Sequence, residues 1–137
     1  MFELPVMRSR LFINVLRLWF AAIMSGVENL LADNIVDKDG AKVDWMSITG
    51  PGKILGLYYS AHWCPPCRGF TPNLAKWYKE MKEKDAGKNF EIIFVSSDSD
   101  QAAFDEYYKE MPWLALKFEE RQAKVCVYIR QLLRKLV

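Results

Sequence analysis

Residues 54–68 read ILGLYYSAHWCPPCR, an apolar run of strand length that leads directly into two cysteines. The run from Ile54 to Ser60 is nearly continuous, which predicts a central strand covered on both faces. Because α/β folds place their sites at the carboxyl ends of parallel strands, residues 61–68 are the expected functional site.

Farther along the chain, the pattern predicts a helix and a second strand. Apolar residues recur at spacings of four, three and four, as on one face of an amphipathic helix that closes near Gly87. This face consists of Phe70, Leu74, Trp77 and Met81. The stretch 90–96, FEIIFVS, then predicts a second buried strand. Strand, helix and strand form a βαβ unit, so the two strands should be parallel neighbours in an α/β fold.

Two flanking segments complete the predicted domain. Residues 34–43, NIVDKDGAKV, place an Asp–Gly pair between two short apolar segments. Glycine tolerates the positive φ of a tight turn, so an N-terminal hairpin is expected there. After the second strand, Asp98 followed by Gln101 predicts the start of a further helix, which Pro112 would stop.

Composition limits the functions that the chain can have. It has 137 residues, of which 51% are hydrophobic and 26% charged, enough apolar material for one compact core and therefore one domain. The net charge of +2 results from 19 basic and 17 acidic residues scattered along the chain. No surface of a single sign is expected, which disfavours nucleic acid or a membrane as a partner.

Residues 1–26 differ in composition from the rest of the chain. They carry three arginines and one acid, and an arginine divides their apolar stretch into pieces too short to span a bilayer. We interpret the segment as an upstream extension, because Met24 would also serve as a start, with a signal peptide or mitochondrial presequence as the alternative. The predicted domain then covers residues 27–120, and residues 121–137 form a divergent C-terminal segment.

The spacing of the two cysteines has a physical reason. A helix that begins just after Cys64 points unpaired amide groups and the positive end of its dipole at the Cys64 sulfur, which stabilises the thiolate. Pro65 and Pro66 are tolerated in a first turn but supply no N–H, so the amide of Cys67 is the expected partner of this sulfur. Cys67 lies one turn along, within bridging reach. Cys64 is therefore the predicted nucleophile and Cys67 the resolving cysteine.

A Cys-X-X-Cys pair can also be half of a zinc site. Tetrahedral zinc needs two more ligands, and only Cys126 and His62 remain. A pair of this spacing beside a βαβ pattern favours redox chemistry, so no metal and no other cofactor is expected. Cys126 is expected to be a buried small apolar residue or a spectator. His62 and Arg68 either add positive potential at the sulfur or are a loop histidine and a solvated arginine.

Residues 59–72, YSAHWCPPCRGFTP, resemble the active-site segment of the tryparedoxin and nucleoredoxin branch of the thioredoxin superfamily. Residues 91–97 and 111–116 are similar to the second core strand of that branch and to the segment after its next helix. The resemblance covers about residues 30–120 in order and spacing. It implies a thioredoxin-like fold with a dithiol active site.

The resemblance also implies roles for the residues around the dithiol. Thioredoxins proper carry a buried aspartate six residues before the first cysteine, and here that position is Tyr58, as in tryparedoxins. Tyr58 would lie beneath the dithiol as a core aromatic residue, and Trp63 would flank it and face the substrate. The predicted substrate-binding residues are Trp63, Pro65 and Pro66, and the supporting ones are Tyr58, His62 and Arg68.

The sequence departs from this family after Glu120. A complete member would continue through a short helix, a segment with a cis-proline facing the dithiol, a strand hairpin and a final helix. Here only residues 121–137 follow, and they read either as one amphipathic helix or as a short strand at 125–129 with a helical stub. We therefore expect a thioredoxin-like βαβ core that lacks the usual C-terminal ββα half. Its exposed sheet edge would invite pairing with another chain and a possible oligomer.

Two functional hypotheses follow. In the first, the chain is a thiol–disulfide oxidoreductase that reduces protein or small-molecule disulfides, with an external thiol reductant or reductase as its second partner. Such an enzyme needs a reducing compartment, so the cytoplasm is predicted first, with the nucleus or mitochondrion as alternatives. In the second, the chain is a truncated non-catalytic form that binds or regulates partners of its full-length relatives.

Overall fold

A four-stranded mixed sheet organises residues 31–120, the part of the chain that this computed structural model describes. The strands are β1 (Ile35–Val36), β2 (Ile54–Ser60), β3 (Phe90–Ser96) and β4 (Leu114–Leu116). Their order in the sheet is β1-β4-β3-β2. β3 is parallel to both β2 and β4, and β1 is antiparallel to β4. The predicted α/β fold with two parallel neighbouring strands is confirmed.

In this part of the chain, three α-helices and one 3₁₀ turn connect the strands, and a second 3₁₀ turn follows β4. They are α1 (Trp45–Ile48), α2 (Pro65–Lys82), α3 (Gln101–Tyr108) and the turns Asp85–Asn89 and Phe118–Glu120. α2 joins β2 to β3, and α3 joins β3 to β4. Among residues 31–120 none of the helices is long and apolar enough to cross a membrane.

The predicted start of α3 is wrong by two residues. Asp100, not Asp98, caps this helix, because the Asp100 side chain accepts a hydrogen bond from the amide of Ala103 at 2.9 Å. Asp98 is fully buried instead. The two aspartates stand in the same Ser-Asp context, and only the point at which β3 ends decides which of them is free to cap.

β3, not β2, is the central strand of the described sheet. Four successive residues of β3, Ile92–Val95, are buried, whereas Ile54, Leu57 and Tyr59 of β2 are exposed. No strand within residues 31–120 pairs with the outer edge of β2. Within residues 31–120, the segment 54–60 is thus an edge strand, whereas the sequence predicts a central one. A continuous apolar run indicates apolar contacts on both faces, but it does not determine the order of strands in the sheet.

Two apolar clusters, one on each face of the sheet, form the core. On one face, α2 and α3 contribute residues such as Tyr78 and Phe104, which pack with Phe94 of β3 and with Trp113. On the other face, Ile93 and Val95 of β3 pack with residues near α1 and with Leu31. β3 thus belongs to both clusters, which explains its nearly complete burial.

The predicted apolar face of α2 is only partly correct. The buried residues of this helix are Thr71, Ala75 and Tyr78, whereas Phe70 and Trp77 are 54% and 43% exposed. The hydroxyl groups of Thr71 and Tyr78 both find hydrogen-bond partners inside, so these polar residues can take the core positions. Phenylalanine and tryptophan are more hydrophobic than threonine and tyrosine. The hydrophobic pattern therefore assigns the buried face of α2 to positions one residue away from those that are buried.

α2 also ends earlier than predicted, at Lys82 rather than near Gly87. Gly87 lies in the following 3₁₀ turn, where a Cβ atom would come within 1.8 Å of the carbonyl oxygen of Met81. The glycine is therefore needed for this close approach of two backbone segments rather than as a helix cap.

The predicted N-terminal hairpin is present in a short form. β1 is followed by a turn in which Gly40 has a φ of +77°, and the Asp37 carboxylate accepts the amides of Asp39 and Ala41. The returning chain makes a single antiparallel bridge between Val36 and Lys42.

The interpretations of residues 1–26, of residues 121–137 and of Cys126 lie outside the described residues, and the domain boundaries at 27 and 120 stay predictions.

Candidate active site

The candidate active site lies where β2 ends and α2 begins. Cys64 and Cys67 form a disulfide with an S–S distance of 2.07 Å and a Cα–Cα distance of 5.2 Å. Cys64 is the N-cap residue of α2, and Pro65 and Pro66 occupy the first helical positions. The amide of Arg68 donates to the carbonyl of Cys64 at 3.1 Å and closes the first helical turn. The predicted helix start immediately after Cys64 is confirmed.

The Cys64 sulfur accepts no capping hydrogen bond in this bridged state. The predicted bond from the Cys67 amide is therefore not formed in the bridged state. Both cysteines are half-buried. Cys64 lies at the N-terminus of α2, where the positive end of the helix dipole favours negative charge.

The residues predicted to bind substrate lie on the surface beside the disulfide. Trp63 is 65% exposed, and its indole Nε1 donates to the carbonyl of Ser97 at 3.0 Å. Pro65 and Pro66 are exposed as well. The indole is thus tied to the end of β3 while most of its surface stays open to solvent.

Arg68 and His62 occupy different environments. Arg68 is exposed, and among residues 31–120 no salt bridge involves its guanidinium group. His62 is half-buried, and its ring packs against Tyr107 with 5.6 Å between the ring centroids. Within residues 31–120 no group of three or more His, Cys, Asp and Glu side chains is arranged to hold a metal ion.

The end of β3 holds the loop between β2 and α2. The amide of Ser97 donates to the carbonyl of Ser60 at 2.9 Å. The buried Asp98 accepts the amide of His62 at 2.6 Å through Oδ1 and the hydroxyl of Ser96 at 2.7 Å through Oδ2. The sequence interpretation missed this contact, although an aspartate two residues after a buried strand, at the carboxyl edge of the sheet, is a signal that could have indicated it.

A network of four hydroxyl groups lies behind the dithiol and links β2, α2 and α3. Thr71 Oγ1 donates to the carbonyl of Cys67 at 2.9 Å and lies 2.9 Å from the hydroxyl of Tyr58. The Tyr107 hydroxyl contacts both Thr71 Oγ1 and, at 2.9 Å, Ser60 Oγ. Among these residues the sequence interpretation singled out only Tyr58.

Proton counting fixes the direction of every bond in this network. Thr71 has one hydroxyl proton, which goes to the carbonyl of Cys67, so Thr71 must accept from Tyr58 and Tyr107. Tyr107 then donates to Thr71 and accepts from Ser60. Burial raises the pKa of the Tyr107 phenol above its ordinary value, so this group keeps its proton at neutral pH. All four hydroxyl protons are thereby placed, and the network ends on the carbonyl of Cys67.

Tyr58 lies at the edge of the aromatic core. It is half-buried and packs against Phe94 and Trp113, with ring centroids 6.3 and 5.6 Å apart. Its hydroxyl reaches the carbonyl of Cys67 through Thr71. This places Tyr58 in the layer that supports the first turn of α2.

A Cys-X-X-Cys disulfide at the start of the helix that follows a parallel strand defines a thioredoxin-like site. Residues 52–131 match the family model described as thioredoxin-like, which is more than half of the chain. The chain therefore belongs to this thioredoxin-like family.

Curated relatives carry the names nucleoredoxin and tryparedoxin. The chain is 56% identical over 84 residues to probable nucleoredoxin 1 of Arabidopsis thaliana, 61% of this chain and 14% of that protein. It is 46% identical over 100 residues to tryparedoxin of Trypanosoma brucei brucei, 72% of this chain and 65% of that protein. It is 43% identical over 91 residues to human nucleoredoxin, 66% of this chain and 20% of that protein. The chain thus spans between 14% and 65% of the length of these relatives.

Solved tryparedoxins have the same fold. Tryparedoxin II from C. fasciculata superposes with a TM-score of 0.65 at 37% identity, over 81% of this chain and 71% of that one. Tryparedoxin I from Leishmania major superposes with a TM-score of 0.62 at 36% identity, over 75% of this chain and 67% of that one. The resemblance to the tryparedoxin and nucleoredoxin branch is confirmed.

Proposed function

We propose that the chain is a thiol–disulfide oxidoreductase that reduces disulfides in proteins or small molecules. The observation that supports this most directly is the Cys64–Cys67 disulfide at the start of α2. When a disulfide across one helical turn is reduced to a dithiol, the pair takes up two electrons, and it releases them when the disulfide forms again. Membership of a thioredoxin-like family supports the same general chemistry.

The first step of the proposed reaction uses the dithiol state. The thiolate of Cys64 attacks one sulfur of the substrate disulfide, forms a mixed disulfide and releases the other substrate sulfur as a thiolate, which takes a proton from solvent. The amide groups at the start of α2 favour the charged form of Cys64. Trp63, Pro65 and Pro66, exposed beside the disulfide, are the proposed contact surface for the substrate.

The second step releases the substrate and closes the disulfide. Cys67 loses its proton to solvent and attacks the sulfur of Cys64, which expels the second substrate thiolate and leaves the Cys64–Cys67 bridge. The substrate has then gained two electrons and two protons, and the enzyme has lost them. An external thiol reductant or reductase restores the dithiol, so no bound cofactor is required. Because that supply is needed for turnover, we place the protein in a reducing compartment, with the cytoplasm first.

The hydroxyl network supports the second step in this proposal. The bond from Thr71 to the carbonyl of Cys67 fixes the turn of α2 that carries the resolving cysteine. Tyr58 and Tyr107 hold Thr71 in turn. Tyr58 is thus a supporting residue, whereas His62 contributes a ring that packs on Tyr107, and Arg68 contributes a solvated positive charge near the site.

Reduction of insulin tests the proposed function. The wild-type chain should precipitate the insulin B chain in the presence of dithiothreitol faster than dithiothreitol alone. The matched control is the same chain with its thiols alkylated beforehand, which should match the reagent background. A folded wild-type chain with no activity above that background would contradict the proposal and favour a binding or regulatory role.

Alkylation of the reduced chain should strike Cys64 before Cys67. The first cysteine of a Cys-X-X-Cys motif can have its pKa lowered to about 7 or below, against about 8.5 for a free thiol, and a pKa of about 7 raises the thiolate fraction at pH 7 about fifteenfold. The lower basicity reduces nucleophilicity about fivefold, so a net preference of about threefold is expected. Limiting iodoacetamide followed by peptide mass mapping measures the ratio.

The pH dependence of this labelling provides its own control. Well below pH 7 the preference for Cys64 should rise to about sixfold, because both thiolates are then minor species. Near pH 10 it should reverse, since both thiols are ionised and the less basic thiolate reacts more slowly. Equal labelling of Cys64 and Cys67 across the range would show that the start of α2 does not distinguish the two sulfurs.

A further inference from the structure

Asp98 is the most deeply buried carboxylate near the disulfide, and the reaction steps above do not use it. Its exposed fraction is 0%, and both of its oxygens accept hydrogen bonds. The partners are the main-chain amide of His62 and the hydroxyl of Ser96, which in turn accepts the amide of Asp98 at 2.9 Å. Among residues 31–120 no salt bridge compensates its charge.

We infer that Asp98 is a positioning residue, which holds the main chain before Cys64 so that the two active-site sulfurs stay within reach of each other. The inference rests on the proposed function, because it concerns the dithiol that would carry the reaction. Asp98 acts through His62 and touches neither substrate nor sulfur in this scheme.

The loop geometry explains why this one contact matters. Three residues, 61–63, separate the end of β2 from Cys64. The amide of Cys64 donates to the carbonyl of Ala61 at 3.2 Å, and the carbonyl of Ser60 accepts from Ser97. His62 lies at the midpoint of this connection, and among residues 31–120 the partner of its amide is Asp98. Without that bond, the main-chain donor of the half-buried His62 loses its partner and the loop loses its central attachment to β3.

The dependence also runs in the opposite direction. A carboxylate buried without a cation is stable only while its hydrogen-bond donors stay in place. One of the two side-chain acceptor bonds of Asp98 comes from the active-site loop itself. Movement of the loop away from β3 would therefore leave the buried carboxylate without the His62 donor. The burial of Asp98 thus favours the observed position of the loop.

The expected consequence is a change in the redox equilibrium of the pair. While the disulfide is closed, the covalent bond keeps Cys64 near Cys67. In the dithiol state only the loop and the first turn of α2 do so. A held loop keeps the effective concentration of one thiol near the other high, which favours the disulfide. Loss of the Asp98 bond should make the disulfide easier to reduce.

Two substitutions of Asp98 distinguish the effect of losing its hydrogen bonds from the effect of losing its negative charge. In Asp98→Asn the amide oxygen can still accept from His62 and the amide nitrogen can donate to Ser96, while the charge is removed. In Asp98→Ala both bonds are lost. Asp100→Ala is the matched control, because it removes a carboxylate two residues away that accepts the amide of Ala103 in α3 rather than an amide of the active-site loop.

The experiment equilibrates the full chain and its variants with glutathione buffers at pH 7 and measures the fraction of closed disulfide. We expect Asp98→Ala to lower the equilibrium constant for disulfide formation about tenfold, which is a rise in reduction potential of about 30 mV. Asp98→Asn should stay within about threefold of wild type, and Asp100→Ala within about twofold. Equal shifts in Asp98→Asn and Asp98→Ala would assign the effect to charge and overturn the inference, as would an unchanged constant in Asp98→Ala.

A second variant covers the case in which Asp98→Ala does not fold, as judged by circular dichroism. Ser96→Ala removes one partner of the carboxylate and leaves His62 in place, so a shift in the same direction of about threefold is expected, and no shift would overturn the inference. The measurement needs no substrate. A wild-type chain that fails to reduce insulin would therefore contradict the proposed function, whereas the redox equilibrium tests Asp98 independently.

Discussion

Replacing Cys64 with serine will abolish the reduction of insulin, whereas replacing Cys67 with serine will stop the reaction at the mixed disulfide. The serine hydroxyl at position 64 is not ionised at neutral pH and cannot attack a disulfide, so activity should fall to the reagent background. With Cys64 intact and Cys67 replaced, the first attack proceeds, but no neighbouring thiol expels the substrate. Uncatalysed exchange takes minutes to hours, so the adduct should persist long enough to isolate.

The measurement is non-reducing electrophoresis after incubation with a disulfide-containing protein. Both variants should also carry Cys126→Ser, so that the third thiol can neither attack nor resolve. Cys67→Ser should give a band at the combined mass that disappears on reduction, and Cys64→Ser should give none. An adduct in Cys64→Ser alone would reverse the two proposed roles, and its absence in both variants would contradict the enzymatic proposal.

The parts of the site that the sequence predicts are those set by neighbouring residues. Pro65 and Pro66 lack an N–H, which costs least in the first turn of a helix, and this favours Cys64 as the residue at the helix start. The position of Trp63 immediately before that start leaves its ring exposed. Each of these features depends on a few consecutive residues, so it can be predicted from the local sequence.

The remaining parts depend on residues far apart in the chain. Asp98 reaches His62 across 36 positions, and Tyr107 reaches Ser60 across 47. An aspartate after a strand also looks like a helix cap and a tyrosine at helical spacing looks like core, so the local sequence does not identify the distant partners of these two residues. The position of β3 inside the described sheet also depends on residues far apart in the chain, because α2 and α3 determine where each strand returns to the sheet.

Trp113 connects the main aromatic cluster to the layer beneath the dithiol. It is 1% exposed, and its ring meets Tyr58 and Tyr78 edge-on with centroid distances of 5.6 and 5.5 Å. Its carbonyl accepts the hydroxyl of Tyr108 at 2.8 Å. Its own indole N–H is buried and has no hydrogen-bond partner in the described part of the chain.

Replacing Trp113 with alanine should therefore destabilise the fold by about 3–5 kcal/mol, since it leaves a cavity between two aromatic rings. That is a large part of the 5–15 kcal/mol typical of a domain, and it should lower the melting temperature by roughly 12 °C or more. Trp113→Phe is the matched control: it keeps a ring in the site and removes the unpaired N–H, whose burial costs about 1–3 kcal/mol. The lost volume and the removed donor oppose each other, so its cost should stay below about 1.5 kcal/mol. Urea unfolding of the disulfide form measures both values.

The alanine variant also removes a ring that packs against Tyr58, so the hydrogen bond from Tyr58 to Thr71 should weaken. Insulin reduction, measured at a temperature where the variant is still folded, should therefore decrease. A loss of less than 1 kcal/mol in Trp113→Ala would show that the aromatic cluster can close over the gap and that it does not hold the site in place.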